Sequence, residues 1–467
     1  PQTALKLQQE LEQFATQEVA LFPDWETLPY DSFSPHQEII SDRISRLYQL
    51  PTQSSGITIV PVNTLLQRQS PRDYLMQHTL MVKVGDLFSL EKLRIQLEKS
   101  GYRHVDQVFG PGEYASRGSI LDLFPMGSND PFRIDFFDDE IDTIRTFDPE
   151  NQRSIEDKQE IRLLPAHEFP TSESAIEDFR IRWRQRFEAR REPESVYMQV
   201  SKGTWPAGIE YWQPLFFEQT ETLFDYIPEN TQLLTVGQLE PAIDTFLDDV
   251  DYRYDQRKVD PLRPLLPPEE LWLKKDELFS QFKQLPQVQL YVEPISEKQG
   301  RCNPNISSLP ELAVQHQNKE PMAALRQFSE TFTGQIVFSV ESEGRREALL
   351  ELLQRIKLKP QESGDLQQAL SSGNKFSLIL GAAEHGFVFG DEQVALICES
   401  DLLGDRVIQR RRKDRKTTNS DAVIRNLAEL QPGQPVVHID HGIGRYIGLQ
   451  TLEAGGMTTE YVTLEYQ

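Results

Sequence analysis

Cysteine is nearly absent: Cys302 and Cys398 are the two in 467 residues, too few and too far apart for a disulfide framework or a paired-thiolate metal site. The sequence has no secretory signal and no apolar run of about 18 residues, the length that a membrane-spanning helix needs. A reducing cytoplasm is therefore the expected setting. Basic charge is also scarce, with 49 Lys and Arg against 73 Asp and Glu and a formal net charge of −24. Such a field repels a phosphate backbone unless basic residues gather locally, so nucleic acid is a poor default partner. There is no internal repeat, no long low-complexity tract and no G-x-x-x-x-G-K-[ST] loop to cradle phosphates.

What is present reads as a folded, modular chain. An apolar fraction of 38% and five Trp exclude wholesale disorder, and 30 Pro imply many exposed connections. At about 150 residues per domain, the length implies roughly three cores. The chain opens at Pro1 inside a helix-like pattern, LKLQQELEQF, and ends at Gln467 inside a strand-like one, EYVTLEY. It reads as a piece of a longer protein.

Over residues 1–78, helix alternates with apolar strand, the signature of an α/β layer. The elements are a helix over Leu5 to Phe14, the proline-punctuated LFPDWETLPYDSFSP, a helix over Gln37 to Leu47 and the buried strand ITIVPV. A helix from Ser89 to Lys99 follows, apolar at Leu90, Leu93, Ile95 and Leu97, with Gly101 as its stop. The period then changes to two in YRHVDQVF, SILDLF, PFRIDFF and DTIRTF. Residues 79–152 are thus expected to form a small antiparallel sheet with one helix, inserted in the α/β domain, which resumes over 153–300. Residues 301–405 read as a second α/β domain with QIVFSV, FSLILGAA and VALICE as buried strands, and Ser342 placed to cap a helix. A charged linker over 406–428 leads to the β-rich residues 429–467, which look like the start of a small barrel.

The acidic end of RIDFFDDEID, residues 133–142, resembles the magnesium-holding end of a nucleotide-hydrolysing site. Such a site needs a phosphate loop and a central strand apolar on both faces. Here the alternation puts Phe132, Ile134 and Phe136 on one face and Arg133, Asp135 and Phe137 on the other, as in a half-solvated antiparallel strand. The acids then form the turn to the next strand. An aromatic and an arginine stand together outside the core, and Arg117 of the EYASRG turn is near enough in pattern to join them. The residues alone leave two readings open: a recognition patch of the kind found at interface hot spots, or one exposed Phe among solvated arginines.

Other clusters carry structural readings. His438 and Asp440 share a strand face without a third metal ligand, and His441 lies in the following turn. His385 lacks the Ser, Cys or paired carboxylate of a triad. The run RRRKDRK, residues 410–416, has no interleaved aromatic for base stacking, so a solvated linker face is the reading and salt-dependent DNA binding the alternative. In FRIRWRQRFEARR, a charged helix over Phe179 to Arg191, Trp183 and Phe187 stand i,i+4 and are expected to face inward. No metal, cofactor or catalytic residue is expected.

FPDWETLPYDSFSPHQEIISDR, GEYASRGSILDLFP and PFRIDFFDDEIDTIRTFD together resemble the module shared by the excision-repair helicase UvrB and the bacterial transcription-repair coupling factors. SKGTWPAGIEYWQPLFF, VESEGRREAL, GAAEHGF, ICESDLLG and GQPVVHIDHGIGRY resemble the coupling factors and not UvrB. The resemblance covers nearly the whole chain. It implies an α/β multidomain fold: a degenerate UvrB-like helicase-type α/β domain without a working ATPase, an inserted antiparallel α+β domain that binds UvrA, a second α/β domain, and the beginning of a Tudor/SH3-like β-barrel that binds the β subunit of RNA polymerase. The function implied is a binding platform recruiting UvrA of nucleotide excision repair to stalled RNA polymerase, with the family's ATP-dependent DNA translocase motor lying outside this stretch. The family's UvrA-contacting positions fall on Arg117, Arg133 and Phe137, and a hydrophobic polymerase contact falls on Leu452.

Two departures bear on activity. UvrB grips DNA with an aromatic hairpin and hydrolyses ATP through an upstream phosphate loop, whereas PYDSFSPHQ fills a short connection here and no such loop precedes it. DNA gripping and ATPase activity are expected to be absent, and this part of the protein is not expected to be an enzyme. The alternative is a degenerate helicase fragment that retains nucleotide or DNA binding. Arg133→Ala and Phe137→Ala are each expected to weaken UvrA binding about ten-fold, on the order of 1.4 kcal/mol, with little loss of stability.

Overall fold

The computed structural model describes residues 2–315, 320–381, 383–390, 393–403, 435–438, 442–454 and 457–465. The chain divides into two units, Pro1–Gly404 and Asp405–Gln467. Its architecture is mixed α/β with several separate sheets.

In the first unit, helix Gln37–Gln49 buries Ile40, Ile44 and Leu47 at helical spacing, and the same face carries Arg43. The Arg43 side chain is completely buried. Its Nε donates to Glu168 Oε1 at 2.8 Å, Nη1 to the Pro23 carbonyl at 2.9 Å and Nη2 to Gln69 Oε1 at 3.1 Å. The guanidinium lies 4.6 Å from the centre of the Phe22 ring and 5.2 Å from that of Trp25. Trp25 Nε1 donates to the second Glu168 oxygen at 2.9 Å. A buried ion pair survives only when its remaining polar atoms also find partners, and here all three guanidinium nitrogens donate and both carboxylate oxygens accept. Because Arg43 precedes the inserted sheet in sequence and Glu168 follows it, this contact closes the α/β domain across the insertion.

Around that knot the aromatic segments form one continuous core. Helix Glu173–Arg186, capped by Ser172, stops where Phe187 becomes extended, short of the expected Arg191. Trp183 and Phe187 pack inward with ring centres 5.0 Å apart. The 3-10 turn Ile209–Phe216 is almost wholly buried and begins at Gly208, φ +76°, where an added Cβ would lie 2.6 Å from the Asp31 carbonyl oxygen. Two short parallel pairs, Val19–Leu21 with Ile57–Ile59 and Leu233–Val236 with Gln287–Leu290, complete this layer.

The insertion begins and ends in a two-stranded neck, Leu80–Lys83 antiparallel to Glu160–Leu163. Between them stand helix Leu90–Lys99 and a six-stranded sheet: Arg103–His104, Glu113–Arg117, Ile120–Leu123, Phe132–Phe137, Glu140–Phe147 and Ser154–Lys158. The strands lie in chain order, the first pair parallel and the rest antiparallel. The sheet thus continues past residue 152. The helix buries Leu93 and Leu97 against an inner face that includes Leu121, Ile134, Phe136 and Ile144, while Ile95, off that stripe, is exposed. It ends at Gly101, φ +84°, with the Tyr102 N–H donating back to the Leu97 carbonyl at 2.9 Å. YRHVDQVF contributes only two strand residues, because Val108 instead packs with Ala115, Phe124 and Phe147 in a small second cluster.

Residues 306–398 carry a mixed six-stranded sheet, ordered Ile306–Ser308, Phe387–Phe389, Val394–Cys398, Gln335–Val340, Phe376–Leu380 and Gln361–Glu362. Gln335–Val340 is parallel to both neighbours and apolar on both sides, because Ile336, Phe338 and Val340 face one cluster and Val337 the other. Ser342 occupies the N-cap of helix Glu343–Arg355, but its side chain makes no capping hydrogen bond.

In the second unit, Pro435–His438, Gly442–Ala454 and Met457–Glu465 form an antiparallel three-stranded sheet. The expected linker 406–428 with its basic run, and the positions Asp440 and His441, lie outside the described residues. Among the described residues, no helix is long and apolar enough to cross a membrane.

Candidate docking surface on the inserted sheet

The strand Phe132–Phe137 buries Ile134 and Phe136 beneath the helix and turns Arg133, Asp135 and Phe137 to the opposite face. Register extends that outer face across the neighbouring strands, since residues directly opposite in an antiparallel pair share a face. One row is Ala115, Asp122, Arg133 and Arg145, and the next is Arg117, Ile120, Asp135 and Thr143. Phe137 and Glu140 close the hairpin, joined by Asp138 and Asp139. Asp138 has φ +52°, a left-handed conformation that Asp tolerates better than most residues. The acidic run is therefore the turn between two strands. Among the described residues, no group of three or more His, Cys, Asp or Glu is arranged to hold a metal.

The three candidate contact residues differ in how they are held. Arg133 grips Asp122 with two hydrogen bonds, Nε to Oδ1 at 2.7 Å and Nη2 to Oδ2 at 2.9 Å, and Nη1 donates to the Gln152 carbonyl at 3.1 Å. Its guanidinium lies 4.9 Å from the centre of the Phe147 ring. The Asp122 hydrogen bonds raise the already high pKa of this group, so it stays charged. Arg117 is exposed, with Nη2 donating to the Asp106 carbonyl at 2.8 Å. Phe137, at the hairpin tip, is 72% exposed. The outer face therefore combines a tied arginine, a nearly free arginine and a projecting ring. Asp135 adds an ion pair with Arg145 and accepts a hydrogen bond from the Thr143 hydroxyl at 2.9 Å. What this arrangement offers chemically is recognition by a rigid, mixed apolar and charged surface.

Leu452 is in strand Gly442–Ala454, opposite Thr459. His385 is exposed, its Nδ1 3.9 Å from Asp401. Two features went unseen in the sequence. One is Leu87, an exposed leucine in a connection that neither helical nor strand periodicity singles out. The other is a cavity of about 180 Å³ in the α/β core, lined by Ser34, Gln37, His167, Phe169, Trp205 and Glu210. There the Ser34 hydroxyl donates to Glu210 Oε2 at 2.9 Å and accepts from the Gly208 N–H at 2.9 Å. Burial pushes the Glu210 carboxyl up to about 7 and the His167 imidazole down to about 4. The sequence gives no signal for this cavity, because its wall is assembled from segments more than 120 residues apart.

Three family models match the chain: the UvrB interaction domain over residues 80–169, the D3 domain of MFD over 328–402, and the CarD-like/TRCF RID domain over 430–467. The chain is 58% identical over 466 residues to the transcription-repair-coupling factor of Escherichia coli, covering all of this chain and 40% of that protein. It is 52% identical to the factor of Haemophilus influenzae, covering 99% and 40%, and 26% identical to that of Bacillus subtilis, covering 96% and 39%. The chain thus spans about 40% of the length of the curated relatives it matches.

Proposed function

From a chain similar along its whole length to the N-terminal part of transcription-repair-coupling factors, we propose a docking platform that recruits UvrA of nucleotide excision repair to stalled RNA polymerase. UvrA docks on the outer face of the inserted sheet, through Arg117, Arg133 and Phe137. The observation that carries this reading is Phe137, a large apolar ring at 72% exposure on the same rigid face as two arginines. Leaving such a ring in water forgoes burial energy that a partner recovers, and a sheet held by register fixes the patch better than a loop. The match of residues 80–169 to the UvrB interaction domain supports the same partner.

The platform acts by binding and not by chemistry, in keeping with the missing phosphate loop. Its second contact is with the β subunit of RNA polymerase, through the terminal strands in which Leu452 sits, where the RID model matches. In this scheme 1–79 and 164–300 are the two parts of a UvrB-like domain, 80–163 the inserted UvrA-binding domain bounded by the two-stranded neck, 301–405 a second α/β domain, 406–428 a linker, and 429–467 a Tudor-like segment.

Calorimetric titration of UvrA into the chain tests the proposal. Micromolar or tighter binding that weakens about ten-fold in Phe137→Ala, on the order of 1.4 kcal/mol, is the expected result. Unchanged affinity in both Phe137→Ala and Arg117→Ala would remove the patch from consideration.

A further inference from the structure

Leu87 is 82% exposed, more than Phe137. It precedes the inserted helix by three residues and lies far from the hairpin in sequence. An isolated antiparallel bridge sets it opposite Glu140, and Glu140 is opposite Phe137 in the hairpin. Paired residues project to one face, so Leu87, Glu140 and Phe137 form a row across three adjacent backbone segments, on the face that bears Arg117 and Arg133. Backbone bonds fix the bridge: Gly85 N–H donates to the Ile141 carbonyl at 2.8 Å, and Ile141 N–H donates to the Asp86 carbonyl at 3.0 Å. With each step in such a row about 5 Å, the leucine and the ring stand about 10 Å apart at the backbone, one on each side of a single carboxylate.

Two large apolar groups held this way in water are unusual away from an interface, where scattered single exposures are the rule. The neighbouring charges state what would cover them. Asp138, Asp139, Glu140 and Asp142 are all exposed around the row, whereas the arginines lie further down the sheet. A partner surface seated here needs apolar area at its centre and positive charge at its edge.

We propose that Leu87 is the second apolar anchor of the UvrA-docking surface, and that the partner meets the Leu87 and Phe137 row with an apolar socket rimmed by Lys or Arg. This extension rests on the recruitment reading of the same sheet. The acidic rim and the arginines then give the surface a direction, with opposite charge preferences at its two ends, which sets the orientation of the bound partner.

The test is a titration of UvrA into the full chain carrying Leu87→Ala, Phe137→Ala or Asp139→Lys, with melting temperatures measured alongside. Leu87→Ala is expected to weaken binding about ten-fold while melting like the unmutated chain, the pattern of an exposed hot-spot side chain. Asp139→Lys is expected to weaken binding and to flatten its dependence on ionic strength. Full affinity in Leu87→Ala together with a loss in Phe137→Ala overturns the second anchor and leaves the recruitment reading standing. A loss in Leu87→Ala that comes with a lowered melting temperature is a folding effect and also overturns the anchor. Unchanged affinity and salt dependence in Asp139→Lys overturn the basic rim. If the unmutated chain does not bind UvrA, the recruitment reading falls and the extension with it.

Discussion

Arg43 and Arg133 each set a guanidinium over an aromatic ring and against a carboxylate, yet they stand at different depths. Arg43 is fully buried with Glu168 among Phe22 and Trp25, whereas Arg133 keeps 20% of its side chain exposed beside Asp122 and Phe147. Depth decides what each does. In the α/β core Arg43 and Glu168 are almost wholly withdrawn from water, so each carries a charge that only the other and its hydrogen-bond partners compensate. On the sheet's outer face water shares the load, and under the proposed docking reading the same geometry holds a charged group still for a partner. Arg133 is therefore less free than its alternation suggested, and removing it disturbs Asp122 and the Gln152 turn as well as any docking.

The contrast is broken most forcefully at Arg43. Arg43→Ala leaves Glu168 buried and uncompensated, and is expected to cost about 3–5 kcal/mol, read as a large drop in the urea midpoint or as failure to fold. Glu210 sharpens the point that depth, and not residue type, sets the cost of a charge. In the folded protein its carboxyl holds a proton up to about pH 7, but in the unfolded chain only up to about 4.5. The folded state thus binds more protons in that window, and stability from this group is lost as pH rises through it. His167 acts in the opposite sense, since its folded value of about 4 lies below 6.5, so unfolding takes up protons between those values and stability there rises with pH. Glu210→Gln removes the first contribution alone, and its advantage over the unmutated chain is expected to grow by on the order of 3 kcal/mol between pH 4 and pH 8 in parallel melts.

Smaller effects are expected on the outer face. Arg133→Ala should lose about 1–2 kcal/mol of stability, because Asp122 loses its bidentate partner at a largely buried site, and should weaken UvrA binding as well. Phe137→Ala should shift stability by less than about 0.5 kcal/mol, since its ring touches mostly water, while still reducing affinity. If Phe137→Ala proved as destabilising as Arg133→Ala, the division between folding role and docking role would fail.

Local pattern was a good guide wherever the partner of a residue was its own strand or helix. The alternation in FRIDFF reappears as Ile134 and Phe136 under the helix with Phe137 outside, and QIVFSV is a strand over the same six residues. It was a poor guide wherever the partner came from far away. YRHVDQVF alternates like a strand, but Val108 finds Phe124 and Phe147 and leaves the sheet after His104. Ile95 has the right chemistry for the buried stripe and the wrong angle around the helix. At the candidate site, Arg117 and Phe137 were visible as residues that the core could not use. Leu87 was not, because its neighbour in space is 53 positions away and only the bridge to Glu140 makes them adjacent.

The layer types, the outward turn of Arg133 and Phe137, and the want of a phosphate loop could be read off the residues, because each follows from side-chain period or from residues that are simply missing. Tertiary structure alone decided that Arg43 closes the domain on Glu168, that Arg133 is anchored, and that Leu87 stands in line with Phe137. Those outcomes depend on which distant backbones come within about 5 Å, and on how much water remains around a charge once they do.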